Sequence, residues 1–547
     1  MRNRWTFIVV LAGVLASVTS AALSSGTVSG IVVDANGPVP GATVRVQATD
    51  NVTTADANGV FFLHGIAADA RVTITAWSEG FYVGWTEARP GTEPIAVTLT
   101  PHYTSDNADY DWFSLEALEG SRSCGRCMPQ HYEQWQQDAH SQSAVNPRFL
   151  SMYNGTDVLG NQSPPVRYGH NRDYGRFPLP PDPNEPYYGP GYKLDFPYTA
   201  GNCGACHVPA AAARPARAYA VDVNEVAGID AEGVFCEFCH KIGDVTLSAD
   251  TGLPLPNMPG VLSLRLFRPY EGQELFFGTL DDVTRRVSYL PLEKESAFCA
   301  PCHFGVFWDT VVYNSFGEWL ASSYSDPESG QTCQECHMPA TDATAFVLAE
   351  EGGLQRPPGH IHDHRMPGAM DEQLLQNAVT LSAAARRDNG AIVVEVSIVN
   401  DQTGHHVPTD SPLRHLILLV QTRDAQGRLL EQLSGPTVPR WGGVGDPNEG
   451  YYAGLPGEGF AKVLEEIWTG ISPSGAYWNP TRVVSDNRIA ASACDRSTYT
   501  FAAGADGEVA VDVTLLFRRA FIEVAEQKGW RAPDILMEHQ RLRVGGH

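Results

Sequence analysis

No cysteine occurs before Cys124, so the start of the chain has no site for lipid attachment. Long apolar runs are missing too: the longest, from about Phe7 to Val18, falls short of the roughly 20 residues a membrane-spanning helix needs. Basic residues are few, 38 Lys and Arg against 63 Asp and Glu, and the net charge of -25 makes nucleic acid and anionic membrane surfaces poor partners. A basic redox partner fits this charge, and so does a purely solubilising role for it. Between about Asp106 and Met370 extended helical or strand periodicity is scarce, and residues 158–200 are dense in Pro, Gly and Tyr. That segment has too little regular apolar structure to make a core from side chains alone, unless large planar groups supply the missing volume.

The N-terminus carries Arg2 and Arg4, then the apolar run, then small residues at Thr19 to Ala22. This order predicts an export signal over residues 1–22, cut near Ala21 or Ala22, and a mature protein that is periplasmic or extracellular.

Ten of the eleven cysteines fall into five Cys-x-x-Cys pairs. Four pairs are followed directly by histidine: Cys203/Cys206/His207, Cys236/Cys239/His240, Cys299/Cys302/His303 and Cys333/Cys336/His337. This is how a chain holds haem c: two thiols form thioethers to the vinyl groups and the adjoining imidazole binds iron. Zinc asks for four ligands per site, usually from two joined knuckles, and does not require a histidine after every second cysteine. The four complete motifs therefore predict four haem c groups, and Cys124/Cys127 a fifth.

The first pair departs from the rule, because Met128 stands where histidine is expected. Several readings are open: Met128 as a thioether ligand, which raises the potential relative to histidine; His131, one helical turn on, as a competing ligand; a five-coordinate iron; or no haem at all. The eleventh cysteine, Cys494, reads as a buried apolar residue in preference to a reactive thiol.

Three characters succeed one another along the chain. Residues 24–102 alternate short apolar runs, such as Thr43-Val44-Arg45-Val46 and Val72-Thr73-Ile74-Thr75, with Gly, Pro, Asn and Asp turns, and predict a small β-sandwich. Gly30-Ile31-Val32-Val33-Asp34, Pro40-Gly41-Ala42-Thr43-Val44, Asp56-Ala57-Asn58-Gly59-Val60-Phe61 and Glu79-Gly80-Phe81 resemble the carboxypeptidase regulatory-like, transthyretin-like module. The resemblance implies an accessory or adhesive role without catalysis; His64 and His102 read as surface residues. Residues 106–370, which hold all five Cys pairs, predict a multihaem cytochrome c domain of short helices and irregular structure. Residues 371–547 predict a second β-sandwich: Ile392, Val394, Val396 and Ile398 line one face of a strand, Leu416 to Val420 another, Val438 to Pro480 an insertion, and Phe517 to Gln527 a short helix.

Tyr132-x-x-Trp135-x-x-x-x-His140 after the first pair resembles the multihaem cytochromes related to hydroxylamine oxidoreductase and pentahaem nitrite reductase. Gly233-Val234-Phe235-Cys236 to His240 and Thr332-Cys333 to Pro339 look like later haem sites of that group. The resemblance implies that His140 is a distal ligand to a neighbouring haem. His364, in Asp363-His364-Arg365-Met366-Pro367-Gly368, and His405, in Gly404-His405-His406-Val407-Pro408-Thr409, resemble segments that imply distal ligation as well. His170 is a further candidate. His360, His362 and His364 alternate and by themselves suit a surface metal site, but their place after the last motif favours one haem ligand among them. His406 and His415 are second choices, and His539 and His547 read as structural or solvated.

The expected function is electron transfer through four to five haems, in exchange with redox partner proteins that include other cytochromes. Reduction of a nitrogen or sulfur oxyanion at an open Cys124/Cys127 haem is the enzymatic alternative. A structural role in a self-assembling surface complex or filament is the third. The catalytic residues of the nitrite reductases and the cross-linking tyrosine of hydroxylamine oxidoreductase have no numbered counterparts here, so no catalytic residue is named.

Overall fold

The computed structural model describes residues 25–115, 118–214, 221–503 and 507–545. The expected export signal therefore lies outside the described residues, as does His547. The chain divides into two compact units, one running to Thr100 and including Asp281–Thr284, the other comprising the rest. No helix among the described residues is long and apolar enough to cross a membrane.

The first unit has two four-stranded sheets. Ser25–Asp34 pairs antiparallel with Gly37–Pro38 and Val60–Ala67 and parallel with Ile95–Thr98. The other sheet runs Val52–Thr54, Thr43–Val46, Val72–Trp77, Gly84–Ala88. Alternation turns Val28 and Val32, Val44 and Val46, and Ile74 into a shared core. The turn before Val60 follows from its sequence: Asp56 accepts hydrogen bonds from the amides of Asn58 and Val60, both at 2.8 Å, and Gly59 takes φ +74°.

In the second unit the multihaem segment has only short helices, none longer than eight residues among those described. Its core is aromatic. Trp112 meets Phe235 edge to face at 5.1 Å, and Phe238, Tyr153 and Tyr192 join the cluster. Ala461, Val463, Trp478, Phe521 and Trp530, from after residue 371, belong to the same cluster. One core thus joins the two segments.

The C-terminal part has a sheet of Thr380–Asp388, Ala391–Val399, Cys494–Ala502 and Gln432–Ser434, and a five-stranded sheet of Thr481–Asp486, Gly457–Glu466, His415–Arg423, Val509–Arg518 and Ile535–Val544. Ile392, Val394, Val396 and Ile398 are buried as their alternation predicts. Three expectations change. Phe517 and Arg518 end a strand, and the helix is Ile522–Lys528. The Val438 to Pro480 region is not all insertion, because Gly457–Glu466 is an inner strand; Gly459 hides its strand character, since the space its Cβ would fill is taken by the Trp441 ring. Cys494 is exposed, because alternation along Cys494–Ala502 puts it on the outer face, with its sulfur 3.1 Å from Ser397 Oγ.

Candidate haem centres

Each Cys pair sits on or beside one helical turn: Ser121–Cys127, Gly204–His207, Cys236–Cys239 and Cys333–His337, with a short 3-10 turn before Cys299. The turn brings the fifth residue back over the first: the amides of Met128, His207, His240 and His303 donate to the carbonyls of Cys124, Cys203, Cys236 and Cys299 at 3.0–3.2 Å. All ten thiols are free, and no disulfide closes any pair.

The pairs are neighbours in space. The thiols of Cys124 and Cys236, of Cys206 and Cys302, and of Cys299 and Cys333 lie close enough to shift one another's ionisation. Cys239 lies within electrostatic reach of Cys299 and Cys302. The fourth motif is therefore a hub within reach of the second, third and fifth, and the first joins through the third.

The motif histidines are oriented by their Nδ1 atoms. His207 Nδ1 meets the Ser143 carbonyl at 2.9 Å, His240 Nδ1 the Phe277 carbonyl at 2.8 Å, and His337 Nδ1 the Pro367 carbonyl at 2.8 Å. His303 Nδ1 has Asp410 Oδ2 at 3.8 Å. A ring whose Nδ1–H is held in this way presents Nε2, with its lone pair, to a metal. Burial pushes His207 down to about 4 and lowers His303, which keeps these rings neutral as ligation requires.

Two histidines expected as distal ligands face motif histidines. His140 and His303 have ring centroids 6.1 Å apart, and His337 and His405 6.4 Å apart. An iron held between two imidazoles at about 2 Å from each nitrogen places the centroids roughly 6 Å apart, so both pairs fit bis-histidine haem. His140 Nδ1 is 2.6 Å from Asp138 Oδ2, and His405 Nδ1 is 3.0 Å from the His406 carbonyl. Burial opposes charging His140, but the bond to Asp138 more than offsets it and raises the pKa. A closed metal-ion cage is not what the residues make: among those described, no three or more His, Cys, Asp or Glu converge on a point.

His364 is also brought in, but differently. Its Nδ1 meets the His362 carbonyl at 3.0 Å, its ring lies edge-on to His131 at 4.4 Å, and both rings are within electrostatic reach of His240. At 4.4 Å these two do not flank one iron. His131 Nδ1 is buried without a hydrogen-bond partner.

Met128 is not a simple exchange for histidine. It has φ -126° and ψ 59°, the conformation that Val208 (-137°, 57°) and Met338 (-131°, 57°) adopt one residue after their motif histidines. Pro129, Pro209 and Pro339 follow these three residues, and a residue before proline is pushed out of the helical region. The first motif thus lacks one residue between its second cysteine and the proline, and its turn ends early. The signal was present in sequence as Cys-Met-Pro against Cys-His-x-Pro.

The remaining candidates lie elsewhere. His170 is exposed on the hairpin Tyr168–Asn171/Gly175–Pro178, opposite Arg176. His406 is half-buried, 3.7 Å from Glu318. His415 is fully buried, stacked on Phe521 at 4.7 Å and edge-on to Trp441, an aromatic core residue. His539 pairs with Asp512 at the surface. His64 is exposed as expected, whereas His102 packs half-buried against Phe277, edge to face at 5.4 Å.

Residues 27–100 match the model of the carboxypeptidase regulatory-like domain. No curated protein sequence matches the chain. Among solved structures it is similar to a penta-heme cytochrome c552 from Thermochromatium tepidum, at 19% identity and a TM-score of 0.52, over 78% of this chain and 98% of that one. The fold of that cytochrome is thus shared. A PapD-like domain of human CEP192 aligns with 31% of the chain at 8% identity, covering 86% of that domain, but its TM-score of 0.13 carries no argument.

Proposed function

We propose that this chain is an exported multihaem c-type cytochrome that conducts electrons through haems held at five Cys pairs, behind an N-terminal carboxypeptidase regulatory-like domain. The observation that supports the reading is the closeness of Cys pairs from different motifs, Cys124 to Cys236, Cys206 to Cys302, and Cys299 to Cys333. Haem c, when bound, supplies an iron that cycles between ferric and ferrous states. The ten cysteines anchor the groups, and His207, His240, His303 and His337 ligate from the attachment side. His140 and His405 complete the positions opposite His303 and His337, held by Asp138 and the His406 carbonyl.

His364 serves the His240 centre, and His131 competes with Met128 at the first. Filled positions with fixed rings let an electron arrive and leave with little rearrangement, which suits conduction. The fourth motif is the branch point of the path. Redox partner proteins deliver and remove the electrons.

The test is rapid-mixing reduction of the holoprotein followed at the haem absorption bands. All haems equilibrate with one another faster than with an external donor. Cys299→Ser/Cys302→Ser, which removes the hub, leaves separately reduced populations. Unchanged exchange in that variant sinks the proposed path.

A further inference from the structure

Away from the Cys pairs, a cleft of about 520 Å³ is lined from the hairpin Gly305–Phe307/Thr310–Tyr313, the helix Ser315–Leu320 and the strands Gly457–Glu466 and Thr481–Asp486. Its size falls within the roughly 300–1,000 Å³ of small-molecule sites. The ionised groups of the lining balance: Lys462, Arg482 and Arg488 against Asp309, Glu318 and Asp486. A strongly charged ligand would be repelled as much as attracted, which favours a neutral polar one.

Several of these charges satisfy one another. Arg488 holds Glu318 at 2.7 Å and Asp486 at 2.8 Å, and Arg482 holds Glu465 at 2.6 Å. The groups left over both donate and accept. Lys462 is 6% exposed, and its ammonium donates to the Val311 and Val312 carbonyls at 3.3 and 3.4 Å, with no carboxylate in ion-pair range among the described residues. An ammonium has three N–H groups, so one is unused. Asn314 Oδ1, Thr481 Oγ1 and His406 Nδ1 are buried without a hydrogen-bond partner, and Thr481 is only 3% exposed. The exposed carboxylate of Asp309 has no partner among the described residues either. Buried polar groups are normally paired, so this many unpaired ones around one cleft point to a ligand rich in hydroxyls.

The hairpin adds an aromatic side chain beside the lining. Phe307 pairs with Thr310, which leaves Trp308 and Asp309 as a two-residue turn at φ 49° and 64°. Such turns favour Asn-Gly, because a bulky side chain at positive φ is strained. The Trp308 ring is nevertheless held there 63% exposed, with its indole N–H donating to the Trp478 carbonyl at 2.8 Å. Its polar edge is thus occupied, and what it offers to a ligand is an apolar face.

We propose that this cleft binds a neutral saccharide, whose hydroxyls pair with Lys462, Asn314, Thr481 and Asp309 and whose C–H face lies on Trp308. The site needs neither haem nor a redox partner, so its failure would leave electron conduction standing.

Calorimetry on the full-length holoprotein tests the site, with cellotriose, maltotriose and triacetylchitotriose as neutral probes and glutamate and glucuronate as charged ones. At least one trisaccharide should bind saturably with a Kd of about 1 mM or tighter. Trp308→Ala should weaken that binding by about tenfold or more. Asp309→Gly should do the same while leaving the melting temperature unchanged or higher, because glycine accepts positive φ and a purely structural residue would not separate the two readouts. The haem content and absorption spectrum of both variants should match wild type. Binding of glutamate or glucuronate alone overturns the neutral class, and failure of all three trisaccharides to bind overturns the saccharide site. Unaltered trisaccharide affinity in both variants places the sugar elsewhere on the protein and overturns it as well.

Discussion

The ring of His140 stands 6.1 Å from that of His303, although 163 residues separate them, and Asp138 fixes it through a 2.6 Å contact at Nδ1. Asp138 is buried, so its carboxylate acts on the imidazole with little solvent screening. A histidine 13 positions after Cys127 thus stands beside the histidine of a different motif from the one it follows.

His140→Ala should convert one haem from low to high spin while the haem count stays constant. Asp138→Asn should keep the haem low-spin and raise one midpoint potential, because a neutral partner makes the imidazole a weaker donor; losses of this kind are typically about 10- to 100-fold in ligand affinity or activity. A spectroelectrochemical titration reads both. No change in spin state in His140→Ala removes it from the ligand set.

The adjacent histidines His405 and His406 should behave differently. His405 faces His337 at 6.4 Å, while His406 points to Glu318. His405→Ala should give a high-spin haem, whereas His406→Ala should leave the spin state untouched. Equal effects would show that the ring pairing does not define ligation.

Glu466 predicts a pH dependence of stability away from the haem motifs. It is buried, accepts from Asn479 Nδ2 at 3.3 Å, and burial with the nearby Asp195 charge pushes it up to about 7. A carboxyl whose folded pKa lies above its unfolded value, 4.5, stabilises the fold below about pH 4.5 relative to higher pH. That advantage is lost progressively between pH 4.5 and 7. Glu466→Gln should therefore raise the melting temperature at pH 8 and change little at pH 4, with a gain of at most about 3 kcal/mol from the shift. Calorimetry at the two pH values decides it, and equal effects at both would refute the assignment.

Gly59→Ala should destabilise the N-terminal unit by roughly 1–3 kcal/mol. The residue sits at φ +74°, and a Cβ there would meet the Val32 carbonyl oxygen at 2.7 Å. A melting curve of the full chain followed at a signal from that unit, such as Trp77 or Trp85 fluorescence, checks it; no loss of stability would mean that the turn relaxes freely.

Much of this was legible in the sequence, and the reasons for the gaps are specific. Alternation in Thr43–Val46 and Ala391–Val399 announced strands because one face of each is buried. The strand Gly457–Glu466 was hidden because Gly457 and Gly459 carry no β signal and Gly459 makes room for Trp441. The Cys-x-x-Cys-His spacing is local chemistry and could be read directly. Histidine pairing depends on how the chain crosses itself, so nothing in the sequence could match His140 to His303. The early turn at Met128 was readable from Pro129, whereas the exposed position of His170 follows from a hairpin whose residues show little periodicity.

The central claim is covalent haem at all five Cys pairs, and peptide mapping of the mature holoprotein by mass spectrometry tests it most directly. The account predicts haem-modified peptides for Cys124/Cys127, Cys203/Cys206, Cys236/Cys239, Cys299/Cys302 and Cys333/Cys336, with Cys494 unmodified. Free thiols at any of the five pairs would contradict it.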